Sequence, residues 1–179
     1  DKVRRARGLD LPGEGQSILD RQGNLLTEVR EIIALVKEHD AILATGHLSP
    51  RETFALVKGA TDAGLKKIIV THVLQPQLMD ETLSQAEIVR LAEMGALIEY
   101  SYWTCQNNIE KLPPAYLASS IRQVGAERAI MTTDFGQIDN PPAPEGLKAF
   151  IRAMLAEGIP EKDIEIMVKK NPARLLGLG

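Results

Sequence analysis

The sequence has little cysteine, little net charge and no long apolar segment, and each shortage excludes a class of protein. Its single cysteine, Cys105, can form no internal disulfide and offers no sulfur-rich metal site, which favours a reducing cytosol. The 21 basic and 24 acidic residues of the 179-residue chain lack the basic excess of a nucleic-acid binder. The longest apolar run, residues 32–36, is far shorter than the roughly 20 residues that cross a bilayer. We therefore expect a cytoplasmic protein without nucleic-acid or membrane partners.

Motifs for nucleotide chemistry are missing as well. The sequence has no glycine-rich phosphate loop of the GxGxxG or GxxxxGK type. Its 44% of hydrophobic and 25% of charged residues are the proportions of an ordinary globular domain with enough apolar content for one core.

Four short apolar runs predict the strands of a sheet, at residues 41–45, 67–71, 96–101 and 129–133. They are continuous rather than alternating, which is typical of parallel strands covered on both faces. Segments with helical spacing lie between them, and we expect helices to begin at Ser49 before Pro50 and at Asp80 before Glu81. The order of elements predicts an α/β fold with right-handed crossovers.

The spacing of the strands indicates a particular α/β fold. Their predicted ends, Thr45, Thr71, Ser101 and Thr133, are 26, 30 and 32 residues apart. A (β/α)8 TIM barrel of about 250 residues repeats roughly every 31. Residues 25–179 have room for about the last four of eight strand-helix units, whereas residues 1–24 are predicted to form a lead loop or small hairpin.

Polar residues directly follow three of the four predicted strands: His47, His72 and Asp134. The carboxyl ends of parallel strands meet at one face of a barrel, so these side chains are expected to converge there. Two neutral imidazoles and a carboxylate are ligands for a divalent ion such as zinc, which would lower the pKa of a bound water towards about 7. Asp134 could then act as the general base.

Each of these residues also has a purely structural interpretation. A single strand-end histidine often packs or caps, and Asp134 before Phe135 and Gly136 fits a turn. Their common position in successive units favours the metal site. The third histidine, His39, is expected at a helix end, where a cation is favourable. Glu99, inside a predicted strand, is either a buried functional acid or a residue that faces the helix layer, and Cys105 lacks a neighbour that would make it a nucleophile.

These residues resemble a known family. The strand ends Thr45-Gly46-His47, Thr71-His72 and Thr132-Thr133-Asp134, followed by a closing segment at residues 171–178, are similar to the carboxyl-terminal half of the barrel in the amidohydrolase superfamily of metal-dependent hydrolases. The resemblance places His47, His72 and Asp134 at the ends of the fifth, sixth and eighth strands. It implies a small-molecule substrate with an amide, lactone, ester or phosphoester bond, and a divalent metal, zinc first, with manganese, iron or nickel as alternatives. In the closing segment, we expect Asn171 to cap a helix that Pro172 begins, with its leucines packed.

The sequence also departs from that family. The first strand of such a barrel supplies a His-x-His pair, and no such pair occurs here. We therefore expect a missing amino-terminal half or a complementing chain, with a homo-oligomer as a further possibility. Two alternatives stay open: a non-catalytic binding or assembly module derived from the barrel, and a metal-assisted decarboxylase or lyase of the same superfamily.

Overall fold

A parallel sheet of four strands lies at the centre of the computed structural model, which describes residues 16–75, 81–106 and 110–178. The strands are β1 (Leu43–Ala44), β2 (Ile68–Val70), β3 (Leu97–Ser101) and β4 (Ala129–Thr132). Each strand pairs in parallel with the next one along the chain. The four predicted strands are confirmed, although each is one to three residues shorter than its apolar run.

Helices alternate with these strands. They are α1 (Thr27–Glu38), α2 (Pro50–Asp62), α3 (Gln85–Glu93), α4 (Trp103–Gln106), α5 (Pro114–Val124), α6 (Ala143–Ala156), α7 (Glu161–Glu165) and α8 (Asn171–Leu175). A 3-10 turn, Ala126–Arg128, precedes β4, and a π-helical segment, Ile166–Lys170, joins α7 to α8. The α/β class is therefore confirmed, and four parallel strands in chain order are consistent with part of a (β/α)8 barrel. No helix within the described ranges is long and apolar enough to cross a membrane.

Capping boxes start two of the helices. At α2, the side chain of Ser49 accepts a hydrogen bond from the backbone of Glu52, whose carboxylate accepts one in return from the backbone N–H of Ser49. This confirms the predicted start at Ser49. The same reciprocal pair, Ser84 and Glu87, starts α3 at Gln85. The predicted start at Asp80 is wrong for α3, because the capping box lies four residues later; Asp80 itself lies outside the described residues.

The segment before α1 turns back on itself. Leu19 and Leu25 form an isolated antiparallel bridge, and the carboxylate of Asp20 accepts hydrogen bonds from the backbone N–H groups of Gln22 and Asn24. These hydrogen bonds lower the pKa of Asp20, the one from Asn24 most. Residues 1–15 of the predicted lead lie outside the described residues.

The two faces of the sheet are covered differently. Alternate strand residues, among them Ile68, Val70 and Ile98, belong to the large apolar core that also contains residues of the helices. On the other face, Leu97 and Ile130 form a small cluster with Leu175 of α8, against which Ile69 packs. This second face is the one that a barrel would enclose.

The closing segment differs from its prediction. Asn171 does not cap α8, because the chain is already helical at Lys170. Its side chain is fully buried and donates hydrogen bonds to the backbone carbonyls of Ala126 and Ala129, at 2.8 and 2.7 Å. Leu175 packs as predicted, whereas Leu176 and Leu178 are exposed. Asn171 thus attaches the last helix to the start of β4.

Candidate functional site

Threonine side chains join the carboxyl ends of β1 and β2. The backbone N–H of Thr71 donates to the hydroxyl of Thr45 at 3.1 Å, and the N–H of Gly46 donates to the hydroxyl of Thr71 at 3.3 Å. His47 and His72 follow these residues directly. The hydroxyls continue the pairing of the strands beyond their last ladder bonds, which brings the two histidines to the same edge of the sheet.

The imidazoles of His47 and His72 are stacked. Their ring centroids are 5.2 Å apart and their planes differ by 23°. His47 is exposed and His72 is half-buried. Both line a pocket whose wall includes Gln75, Glu81 and Thr82. The structure therefore brings together two of the three predicted ligands.

His72 occupies an unusual position for a residue with a side chain. Its backbone has φ of 51°, in the left-handed region that non-glycine residues seldom adopt. Its Nδ1 atom is buried and forms no hydrogen bond with the described residues. Strained backbone and unpaired buried polar atoms occur often at functional sites.

Glu99 is the neighbour of this buried nitrogen. Its Oε2 lies 3.6 Å from Nδ1 of His72, and its Oε1 accepts a hydrogen bond from the hydroxyl of Thr132 at 3.1 Å. The side chains of Glu99 and His72 are 16% and 17% exposed, so the pair is mostly shielded from water. Sequence reasoning left the role of Glu99 open. The available signal was a charged residue between Ile98 and Tyr100 in an apolar strand.

Asp134 follows β4, two strands along the sheet from the strand that precedes His72. It is half-buried and has a left-handed backbone with φ of 56°. Its carboxylate makes no hydrogen bond or ion pair with the described residues. Because β3 separates β2 from β4, strand spacing alone puts roughly 10 Å between the ends of those strands. The structure thus places Asp134 at the predicted strand end without joining it to the imidazoles.

The donor set fits a divalent ion in part. Neutral imidazoles are good ligands for zinc and similar metals, and two of them line one pocket here. No three histidine, cysteine or carboxylate side chains in the described residues are close enough to hold an ion together. The described residues therefore supply two imidazole donors, and a complete site needs further ligands.

Comparisons with known proteins give a family and a fold. The model of DUF6282, a family of unknown function, matches residues 1–99. Among solved structures, N-acetyl-D-glucosamine-6-phosphate deacetylase from Mycobacterium smegmatis is similar at 20% identity and a TM-score of 0.52, over 83% of this chain and 42% of that protein. No curated protein matches the chain. The chain thus spans less than half the length of that deacetylase, and similarity at this identity shows the fold alone.

Proposed function

The chain belongs to the DUF6282 family, whose function is unknown, and on that premise we propose that it forms part of the barrel of a metal-dependent hydrolase of amidohydrolase type. The observation that carries the proposal is the stacked pair of His47 and His72 at adjacent strand ends. The region matched by the family model, residues 1–99, contains both histidines and Glu99.

The backbone at the strand ends supports this assignment. His72 and Asp134 both follow a strand and both adopt the left-handed conformation, which costs of order 1–3 kcal/mol for a residue with a side chain. Such a conformation persists only where the surrounding contacts maintain it. The similarity in fold to a deacetylase makes an amide the first substrate class to test, before lactones, esters and phosphoesters.

Each proposed residue has a separate role. His47 and His72 would hold a divalent ion, zinc first, through neutral ring nitrogens. When bound, such an ion polarises the substrate oxygen and lowers the pKa of water. Asp134 would ligate the ion, accept the proton of the attacking water and return it to the leaving group. The remaining ligands would come from the other half of the barrel, in a preceding segment or a complementing chain.

A second candidate is a non-catalytic binding or assembly module that kept the barrel fold. The specific observation in its favour is the absence, among the described side chains, of three ligands grouped around one point. Folds of this kind host many functions, so the site has to decide between the two candidates.

Metal content separates these candidates. We expect the purified native protein to contain a stoichiometric divalent ion, measured by elemental mass spectrometry. The variants His47→Ala and His72→Ala should lose this ion. His39→Ala is the matched control, because this third histidine is exposed at the end of α1 and should leave the metal content unchanged. Unchanged stoichiometry in both His47→Ala and His72→Ala would rule out the proposed metal site.

Turnover tests the role of Asp134. We expect the native protein to hydrolyse at least one member of a panel of N-acetylated amino sugars, lactones, esters and phosphoesters, and Asp134→Asn to reduce kcat by about 100-fold or more. A native protein that contains no metal and hydrolyses none of these compounds would favour the binding module.

A further inference from the structure

In the described part of the chain, the carboxylate of Glu99 pairs with His72 of the histidine pair, and we propose that Glu99 is a positioning residue for His72. It holds the imidazole in the tautomer protonated at Nδ1, which leaves the lone pair of Nε2 available as a metal ligand. This inference rests on the proposed function, since it concerns the same site. It assigns to β3 a role that the resemblance to the amidohydrolase superfamily did not include.

The first argument is the environment of Nδ1. This atom is buried, and within the described ranges it has no hydrogen-bond partner. Buried ring nitrogens are nearly always paired in folded proteins. The Oε2 atom of Glu99 lies 3.6 Å away, just beyond hydrogen-bond length, so a small rotation of either side chain closes the contact.

The second argument is that Glu99 is itself held in place. Its other oxygen, Oε1, accepts a hydrogen bond from the hydroxyl of Thr132 at 3.1 Å. Glu99 lies in β3, which pairs with a neighbour on each side, and its own register partner on β4 is Ile130. The carboxylate is therefore fixed by a central strand and by a side chain of the adjacent strand, and its free oxygen is the one near His72.

The third argument is the chemistry of the pair. An ionised carboxylate can only accept hydrogen bonds, so a bond between Oε2 and Nδ1 requires the proton to be on Nδ1. The two ring nitrogens of a neutral histidine cannot both carry a proton, which leaves Nε2 as the acceptor or ligand atom. Metal-ligating histidines almost always donate their other N–H to such a partner, which fixes the tautomer and the direction of the ring.

The tautomer of His72 tests the proposal in the metal-free native protein. With nitrogen-15-labelled histidine, long-range proton–nitrogen NMR at alkaline pH identifies the protonated ring nitrogen. Only three histidines contribute, and His39→Gln and His47→Gln assign the signals. We expect His72 to be protonated at Nδ1 in the native protein and to shift towards the Nε2–H form in Glu99→Gln, whose side-chain amide can donate as well as accept.

Metal affinity supplies the second readout. We expect the zinc dissociation constant, measured by competition with a chromophoric chelator, to rise about 10–100-fold in Glu99→Gln. Thr132→Val keeps the carboxylate but removes its anchor, so it should give a smaller rise, and it serves as the test variant if Glu99→Gln does not fold. Glu145→Gln is the matched control, because that carboxylate pairs with Lys148 on the exposed surface of α6.

The outcomes separate this inference from the proposed function. A native His72 protonated at Nε2, or an unchanged tautomer and zinc affinity in both Glu99→Gln and Thr132→Val, would overturn the role of Glu99. Zinc binding that survives His47→Ala and His72→Ala would instead contradict the proposed metal site. Because the NMR measurement uses metal-free protein, it decides the role of Glu99 in either case.

Discussion

Two candidate site residues near strand ends have a left-handed backbone conformation, and this conformation affects how the site is held. Among the described residues, four that are not glycine have positive φ: Asp40, His72, Lys111 and Asp134. His72 and Asp134 each lie two residues after the last residue of a strand, and both are candidate site residues from the sequence. Aspartate and histidine enter this region more readily than most residues, but each still needs its neighbours to hold it there. The site therefore depends on the contacts of the loops that carry it.

Cys105 shows how burial decides the chemistry of a single side chain. It lies in the short helix α4, half-buried, and burial raises the pKa of its thiol from 9.0 to about 11, although a hydrogen bond with Thr104 opposes the rise. At neutral pH the thiol is therefore almost entirely protonated, which agrees with the expectation that it is not a nucleophile.

We expect Cys105 to react slowly with a thiol-specific disulfide reagent at about pH 8, and at least tenfold faster after unfolding in urea. The chain has no other cysteine, so the absorbance change on labelling reports on this residue alone. Fast labelling of the folded protein would mean that the thiol is accessible and ionised, contrary to its burial.

The raised pKa also makes stability depend on pH. Between pH 9.0 and about 11 the unfolded chain loses the thiol proton while the folded chain keeps it. The unfolded state then binds fewer protons, so the free energy of unfolding falls as pH rises through this window. Urea titrations at about pH 8 and about pH 10.5 should show this fall, and Cys105→Ala should reduce it. Burial raises the pKa of Tyr100 as well, so part of the fall will remain in that variant.

At the scale of elements, aromatic packing attaches the loop after β4 to α6. Phe135, next to Asp134, is buried and lies with its ring centroid 6.1 Å from that of Tyr102. Tyr102 in turn stacks on Phe150 of α6 at 5.0 Å. Gly146, also in α6, is in contact range of the Phe135 ring, and a Cβ there would overlap it. Because Gly146 has no side chain, the ring of Phe135 can pack against α6. This packing holds the loop that carries Asp134.

We expect Gly146→Ala to lower the melting temperature. Alanine gains about 1 kcal/mol over glycine inside a helix, but overpacking against an aromatic ring costs about 1–3 kcal/mol. Gly136→Ala is the control, since a Cβ at that position meets no atom within 4 Å. A Gly146→Ala variant at least as stable as the control would show that Phe135 can move away without cost.

The strands, helix caps and long-range contacts differ in how far the sequence could predict them. Apolar runs fix the positions of buried strands, and Ser49 with Glu52 marks a helix start locally, so these features were predictable. The cap at Ser84 was missed in favour of Asp80, because both residues have capping chemistry. The roles of Glu99 and Asn171 depend on partners 27 to 45 residues away in sequence, at His72, Thr132, Ala126 and Ala129, and no local pattern identifies such partners.

At the scale of the whole molecule, the sheet is open. In the described part of the chain, β1 and β4 each pair on one side only, and on the second face Leu97 and Ile130 pack with Leu175. Ile69 points to that face and is half-buried. Unpaired edges and exposed apolar faces favour association with another segment or chain. A barrel half contributed from elsewhere would pair both edges and enclose Ile69.

Substituting Ile69 therefore tests whether the sheet is closed in the native protein. A lysine at the centre of a closed barrel would be buried without a partner, so we expect Ile69→Lys to lower the free energy of unfolding by about 3 kcal/mol or more. Ile138→Lys is the control, because this residue is 98% exposed in the loop before α6, and a surface substitution changes stability by about 0.5 kcal/mol or less. Urea unfolding of the native protein compares the two. If Ile69→Lys costs no more than Ile138→Lys, the second face is open to water, no other barrel half covers it, and the ligands missing from the histidine pair have no element to supply them.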